Sequence, residues 1–217
     1  RNGNVVKCDS LGYWRVVESQ PTPATIKARR QASRMLQSRP NKAAGSVNLA
    51  PRGLVILVNF SDSKFANANN QAAMNELMNS DNYTYDGATG SVRQFFSDQS
   101  DGQYTPEFDV IGPVTLEHNV AYYGKNDTYG NDVLPGDMVV EACSMANASY
   151  GVDFTQYDND GDGEVDFVYL IYAGKGEADG GADNTIWPHN WDLESASYYG
   201  NCTYKKNTRK FDGKYIN

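Results

Sequence analysis

The sequence contains few of the residues that build histidine or thiolate sites. Its 217 residues include two histidines, His118 and His189, and three cysteines, Cys8, Cys143 and Cys202. The odd number of cysteines excludes a fully paired disulfide framework within the chain. Cys143 lies in a helical pattern, and we predict that it is a buried thiol. A bridge between Cys8 and Cys202 stays open, since their spacing does not support it.

Long apolar runs and an excess of positive charge are also missing. No stretch of about eighteen apolar residues occurs, which excludes a membrane-spanning helix. The chain has 19 Lys and Arg against 27 Asp and Glu, a net charge of -8. This balance argues against nucleic-acid binding and suits a cation-binding surface. The chain begins at Arg1 rather than Met, as a processed fragment would, so the lack of a visible leader is uninformative.

The segment that starts at Tyr157 has acidic residues at the spacing of a calcium loop. Such loops supply side-chain oxygens from alternate positions, a backbone carbonyl from position seven, and a glycine at position six for the turn. The residues predicted to bind calcium are Asp158, Asp160, Asp162, Glu164 and Asp166, with Gly163 at the turn. The alternative is a solvated acidic turn, whose carboxylates would repel one another without a cation.

The residues after this loop exclude an EF-hand. An EF-hand closes with a bidentate Glu at position twelve and continues into a helix. Position twelve here is Tyr169, and the following stretch, from Val165 to Gly174, is rich in β-branched and aromatic residues. Because this stretch is apolar on both faces, we predict a buried central strand.

The rest of the chain divides by composition into three parts. Residues 1–18 alternate in polarity and predict a hairpin, with strands at Val5–Lys7 and Tyr13–Val17. Residues 19–52 are rich in Pro, Thr and basic residues and predict a linker. Residues 53–217 predict a domain of mixed strands and helices. The fold class is therefore α+β, close to α/β, with a mixed twisted sheet, packed helices and a preceding hairpin.

Within residues 53–217, apolar runs and helix signals predict the order of elements. Ser91 and Gln94 form a capping-box pattern, behind which Val92, Phe95 and Phe96 should face the core. The predicted strands and helices are a buried strand at Leu54–Phe60, a helix at Gln71–Met78, two strands at Tyr104–Asp109 and Val110–Leu116, a helix that opens near Asp132 to Pro135, a strand that ends at Ala173, and edge strands at Tyr198–Tyr204 and Arg209–Tyr215.

Four segments, taken together and in order, resemble the secreted immune inhibitor A-type zinc metallopeptidases of bacteria. The segments are RGLVILVNFSDSKF (52–65), GSVRQFFSDQSDGQYTPEFDVIGPVTL (90–116), YYG (122–124) and YDNDGDGEVDFVYLIYAGKGEADGGADNTIWPHNW (157–191). The resemblance covers roughly residues 52–217, and residues 1–18 look like the tail of the family's propeptide. It implies a zincin-like fold, an extracellular location, a zymogen, and protein or peptide substrates.

The sequence departs from this family at the catalytic motif. Such enzymes carry HExxH on a helix, in which two histidines bind zinc and the glutamate is the general base. No HExxH occurs in these 217 residues. We therefore expect the zinc ligands to lie downstream of Asn217, and we expect this chain alone to be an inactive N-terminal portion of a longer enzyme. Its catalytic residues stay unknown.

Two residues remain as candidates for supporting roles. His189 lies in the family-like Trp-Pro-His segment and is a candidate neighbour of the active site, although a hydrogen bond that orients a loop explains it as well. Cys8 is a candidate zinc ligand of the latent enzyme, although a bystander thiol is the simpler interpretation. Two other functions stay open: a calcium-binding extracellular adhesion or carbohydrate-binding module, and an inactive peptidase homologue.

Overall fold

The computed structural model describes residues 5–8, 14–17, 49–67 and 70–217. The chain forms two compact units, Arg1–Gly45 and Ser46–Asn217. In the first unit, strands β1 (Val5–Cys8) and β2 (Trp14–Val17) pair antiparallel, with Val5 opposite Val17. Most of the predicted linker over residues 19–52 lies outside the described residues, and so does the side chain of Cys8.

The second unit alternates strands and helices around a small parallel sheet. One-turn 3-10 helices occur at Tyr85–Gly87, Phe154–Tyr157, Glu177–Asp179 and Lys206–Thr208. The longer elements are β3 (Arg52–Asn59), α1 (Asn70–Asn79), α2 (Val92–Gln99), β4 (Glu107–Thr115), α3 (Val120–Gly124), α4 (Pro135–Tyr150), β5 (Glu164–Val165), β6 (Val168–Tyr172), α5 (Leu193–Tyr199), β7 (Lys210–Phe211) and β8 (Lys214–Ile216). Helices together with small parallel and mixed sheets make this unit α+β.

Strand β3 is the middle of the larger sheet, which has the order β4-β3-β6 with both neighbours parallel to β3. Its residues from Leu54 to Val58 are fully buried. Successive side chains of a strand point to opposite faces, so a strand covered on both sides must be apolar at every position. The continuous apolar run that predicted a buried strand at Leu54–Phe60 is thereby explained.

The prediction of a central strand after the acidic loop is wrong. Strand β6 lies beside β3 at one side of the described sheet, and Tyr169 is 40% exposed. An aromatic or β-branched run indicates a strand but does not show whether that strand lies in the middle or at the edge of a sheet. Such side chains also occur on sheets that are partly open to water.

Two hydrophobic clusters cover the faces of β3. Leu54, Ile56 and Val58 pack in a cluster with residues of α4, among them the fully buried Ala142, Cys143 and Ala146. Val55 and Leu57 pack on the other face with Phe108, Val110 and Met78, the last from α1. The helices therefore enclose the sheet, and the prediction that Cys143 is a buried thiol is confirmed. Cys202 is also a buried free cysteine.

Three other local predictions need correction. The two strands predicted between Tyr104 and Leu116 are the single strand β4, whose pairing with β3 shifts register between Ile56 and Val58. Phe95 is 59% exposed and does not face the core. Gln94 does not complete the capping box, because its side chain accepts from the backbone N–H of Asn82 rather than reaching back, although Ser91 does cap α2.

The edge strand predicted at Tyr198–Tyr204 is also wrong, because helix α5 occupies Leu193–Tyr199. Asp192 caps its start by accepting from the N–H of Ser195, and Gly200 ends it in a left-handed conformation. The strand predicted at Arg209–Tyr215 is instead the short antiparallel pair β7 and β8. Strand β8 also pairs in parallel with β5, which places the chain end beside the acidic loop.

Candidate metal centre

Three of the predicted carboxylates converge in the loop before β6. One oxygen from each of Asp158, Asp160 and Asp166 lies within 4.8 Å of the others. Three anionic groups this close repel one another, and hard oxygen ligands of this kind suit Ca²⁺. The loop therefore brings together the donor atoms that a calcium ion would need.

Asp158 is the buried member of this group. Its side chain is 1% exposed, and its Oδ2 atom accepts from Lys214 Nζ at 2.7 Å and from the N–H of Gly163 at 3.0 Å. Burial alone would raise the pKa of Asp158, but the Lys214 ammonium and the Gly163 N–H outweigh it, so the pKa lies below its usual value. The other oxygen, Oδ1, is buried and has no hydrogen-bond partner. A bound cation would satisfy that oxygen.

Short side-chain to backbone hydrogen bonds shape the loop. Asp160 accepts from the N–H of Asp162 at 3.2 Å, and Asp162 accepts from the N–H of Glu164 at 2.9 Å. Gly163 has a φ of +91°, a conformation that side chains other than glycine rarely adopt. The glycine at position six of the calcium pattern therefore occurs at a turn that requires it.

Asp162 and Glu164 are not in the convergent group of three. The carboxylate of Glu164 instead accepts from Lys206 Nζ at 2.9 Å and from the Asn217 amide at 2.8 Å. The role predicted for Glu164, through its backbone carbonyl, stays a prediction, and so does that of Asp162.

Asn159 attaches the loop to the start of β3, which the sequence pattern did not indicate. Its side chain accepts from the Arg52 N–H at 2.7 Å and donates to the Arg52 carbonyl at 3.0 Å. Its own N–H donates to Asp166 Oδ2 at 2.7 Å. The Arg52 guanidinium pairs in turn with Asp109 of β4 at 2.6 Å. The acidic loop is thus fixed against the beginnings of two strands of the sheet.

Among the described residues, neither histidine belongs to a group of metal-ligating side chains. His118 stacks on Tyr122 with ring centroids 3.8 Å apart, and the exposed His189 bonds through Nδ1 to the carbonyl of Trp187 at 2.7 Å. Within the described part of the chain, Asp158, Asp160 and Asp166 are the one group of three metal-ligating side chains. An all-carboxylate group suits calcium rather than a catalytic zinc, so the described residues do not fit the zinc that the resemblance implies.

Comparison with known proteins gives a consistent set of relatives. The sequence profile of the family described as "Immune inhibitor A peptidase M6, catalytic domain" matches residues 42–217. Immune inhibitor A of Bacillus thuringiensis subsp. alesti is 30% identical over 172 residues, which cover 64% of this chain and 25% of the relative. Pre-pro-metalloprotease PrtV of Vibrio cholerae serotype O1 is 27% identical over 130 residues, or 50% of this chain and 14% of the relative. The matched segment thus spans about a quarter or less of the length of these relatives.

Proposed function

Because the chain belongs to the immune inhibitor A peptidase M6 family, whose catalytic-domain profile covers residues 42–217, we propose that it is part of a secreted zinc-dependent endopeptidase that hydrolyses peptide bonds in proteins. The family match, which covers the whole of the second compact unit, carries this proposal. Relatives named as metalloproteases support it further. None of the helices in the described ranges is long and apolar enough to cross a membrane.

Residues 1–217 would form part of the scaffold of this enzyme and would not supply the ligands of its catalytic zinc. Zinc in a peptidase activates water and polarises the scissile carbonyl. Since the described residues offer no zinc-binding group, we propose that its ligands follow Asn217, and we assign no hydrolytic step to residues 1–217. His189 remains a proposed neighbour of the active site, with its ring held by the Trp187 carbonyl.

We further propose that the acidic loop binds a structural calcium ion through Asp158, Asp160 and Asp166, with Asp162 and Glu164 completing the set. The buried, unpartnered Oδ1 of Asp158 supports this assignment, because an uncompensated buried carboxylate oxygen is costly. Since Asn159 ties the loop to Arg52, the ion would stabilise the start of β3 as well as that of β6.

We propose that residues 1–18, which contain the hairpin of β1 and β2 in the first compact unit, are the tail of a propeptide, and that residues 19–52 are a linker. The boundary of that unit at Gly45 lies close to residue 42, where the family match begins. This assignment predicts that the mature enzyme lacks the hairpin of β1 and β2. The N-terminus found by sequencing the active form should therefore lie within or after residues 19–52, and a mature N-terminus that still includes Val5 would contradict the assignment.

A casein assay tests the proposed activity. We expect the product of the complete gene to degrade casein, to lose activity with 1,10-phenanthroline, and to regain it when zinc is added. Purified residues 1–217 should stay inactive with added zinc. Zinc-dependent cleavage by residues 1–217 alone would refute the placement of the zinc ligands. A complete gene product that is folded and zinc-loaded but inactive would instead favour the inactive-homologue alternative.

A further inference from the structure

A second polar cluster lies near the end of β6 that is farther from the acidic loop. Asn126 and Asp132 face each other in an antiparallel bridge that precedes helix α4. Glu177 begins the 3-10 helix that follows β6, and its Oε1 accepts from the Asn126 amide at 2.8 Å. The Trp187 N–H donates to Asp132 Oδ2 at 3.0 Å. Side chains from two separate segments are thereby joined in one set of contacts.

Two oxygens in this cluster are buried without a hydrogen-bond partner, Asp132 Oδ1 and Asn126 Oδ1. Asp132 is 6% exposed, so bulk water does not reach its free oxygen. The Asn126 amide cannot simply turn over, because its carbonyl oxygen would then face the Glu177 carboxylate. Native proteins rarely leave buried acceptors unsatisfied, so each such atom calls for a ligand, a proton or an ordered water.

The charges around Asp132 favour a bound cation over a proton or an ordered water as the partner of its free oxygen. The negative charge of Glu177 acts on the buried Asp132 carboxyl, whose Oδ2 atom accepts from the Trp187 N–H. A cation between the two carboxylates would offset their repulsion. The donors present are two carboxylates and an amide carbonyl, which are the oxygen ligands that Ca²⁺ prefers.

We propose that Asp132, Asn126 and Glu177 form a second cation site, for a hard divalent ion such as Ca²⁺, between the bridge that precedes α4 and the segment that follows β6. The ion would satisfy both unpartnered oxygens and offset the repulsion between Asp132 and Glu177. It would also hold the segment of residues 177–187, which contacts the bridge through the Asn126 N–H and the Asp183 carbonyl at 3.1 Å. This site is separate from the acidic loop, since β6 runs between Asp166 and Glu177.

Asp132→Asn is the variant that isolates this site. The new amide oxygen can still accept from the Trp187 N–H, and the variant loses the negative charge that Glu177 repels, so it should fold without a cation. Asp183→Asn is the matched control, since it removes an exposed carboxyl from the neighbouring segment. Asp160→Ala removes a ligand of the acidic loop alone.

Calcium titration calorimetry on the purified chain at pH 7.5 tests the proposal, with melting temperatures measured in calcium and in EDTA. We expect Asp132→Asn to remove one binding event, Asp160→Ala to remove a different one, and Asp183→Asn to remove none. Asp132→Asn should melt in EDTA no lower than the natural sequence, and calcium should raise its melting temperature less. Unchanged calcium stoichiometry in Asp132→Asn would overturn the proposal. The proposal would also be overturned if acid alone raised the melting temperature of the natural sequence in EDTA to its value in calcium, with no calcium effect at this site. The missing partner would then be a proton.

Discussion

Replacement of Asp160 by Ala should change how strongly the stability of the protein depends on calcium. Asp160 is one of the three convergent carboxylates, and it is the exposed one. Its replacement removes a ligand and one negative charge without opening the core. We therefore expect opposite effects in the two conditions: the variant should be as stable as the natural sequence or slightly more stable in EDTA, and less stable in calcium.

The expected changes in stability follow from the distance between the carboxylates and from the coupling of calcium binding to folding. Two carboxylates 4.8 Å apart repel by about 3.5 kcal/mol at an effective dielectric of about 20. Water screens the exposed Asp160, so relief of its repulsion in EDTA should be worth only about 0–1 kcal/mol. Extracellular sites bind calcium at about 10⁻⁴–10⁻³ M, so about 10 mM Ca²⁺ should stabilise the natural protein by about 1.4–2.7 kcal/mol. For a chain of this size, that corresponds to a rise of about 3–11 °C in the melting temperature.

Thermal unfolding in calcium, magnesium and EDTA measures these effects. The natural sequence should show the full shift in calcium and a smaller one in magnesium, which keeps its own waters and demands stricter geometry. Asp160→Ala should lose the part of the calcium shift that the acidic loop contributes. Asp98→Ala, which removes an exposed carboxyl from α2, should keep the full shift. Retention of the full calcium shift by Asp160→Ala, or an equal loss in Asp98→Ala, would refute the proposed role of Asp160.

Three further predictions concern the surroundings of the loop and the core. Asn159→Ala removes two hydrogen bonds to the Arg52 backbone and should lower the free energy of unfolding by about 1–2 kcal/mol in urea titrations, where an unchanged value would show that water replaces both bonds fully. Gly136→Ala places a new Cβ 2.5 Å from the Cys202 Cβ, so overpacking should lower the free energy of unfolding by about 1–3 kcal/mol despite the better helix former; a higher melting temperature would contradict this packing. Burial raises the pKa of the Cys143 thiol to about 12, so iodoacetamide at pH 8 should leave it unmodified until guanidinium unfolds the chain, as peptide mass spectrometry can show.

Sequence reasoning succeeded where a local pattern dictates the outcome. The apolar run at Leu54–Phe60 predicted a buried strand because both faces of β3 are covered. The Ser91 cap was also predictable, since its partner lies three residues away. The convergence of Asp158, Asp160 and Asp166 follows from loop spacing, because a tight turn at Gly163 folds alternate side chains toward one point.

The failures all concern information that a local pattern does not carry. Phe95 was expected in the core, but only the docking of α2 decides which side of its apolar stripe is covered. The aromatic run at Tyr198–Tyr204 favoured a strand by propensity, yet the Asp192 cap and the Gly200 stop produced a helix.

The contacts that hold both candidate cation sites could not be predicted from the sequence either. The bond between Asn159 and Arg52 joins residues 107 positions apart, and Asn126 meets Glu177 across 51 positions. Neither pair has a spacing motif, because tertiary pairing alone brings the members together. Acidic spacing in the sequence therefore indicates the carboxylates of the loop but not the pair of Asp132 and Glu177.

The most direct test is a crystal structure grown with calcium, with data collected where calcium scatters anomalously. The account predicts an anomalous peak about 2.3–2.6 Å from Asp158 Oδ1, with oxygens of Asp160 and Asp166 at similar distances. Oδ2 should keep its contact with Lys214. A well-ordered loop in which Asp158 Oδ1 faces only water, with no anomalous peak among the three carboxylates, would contradict the account.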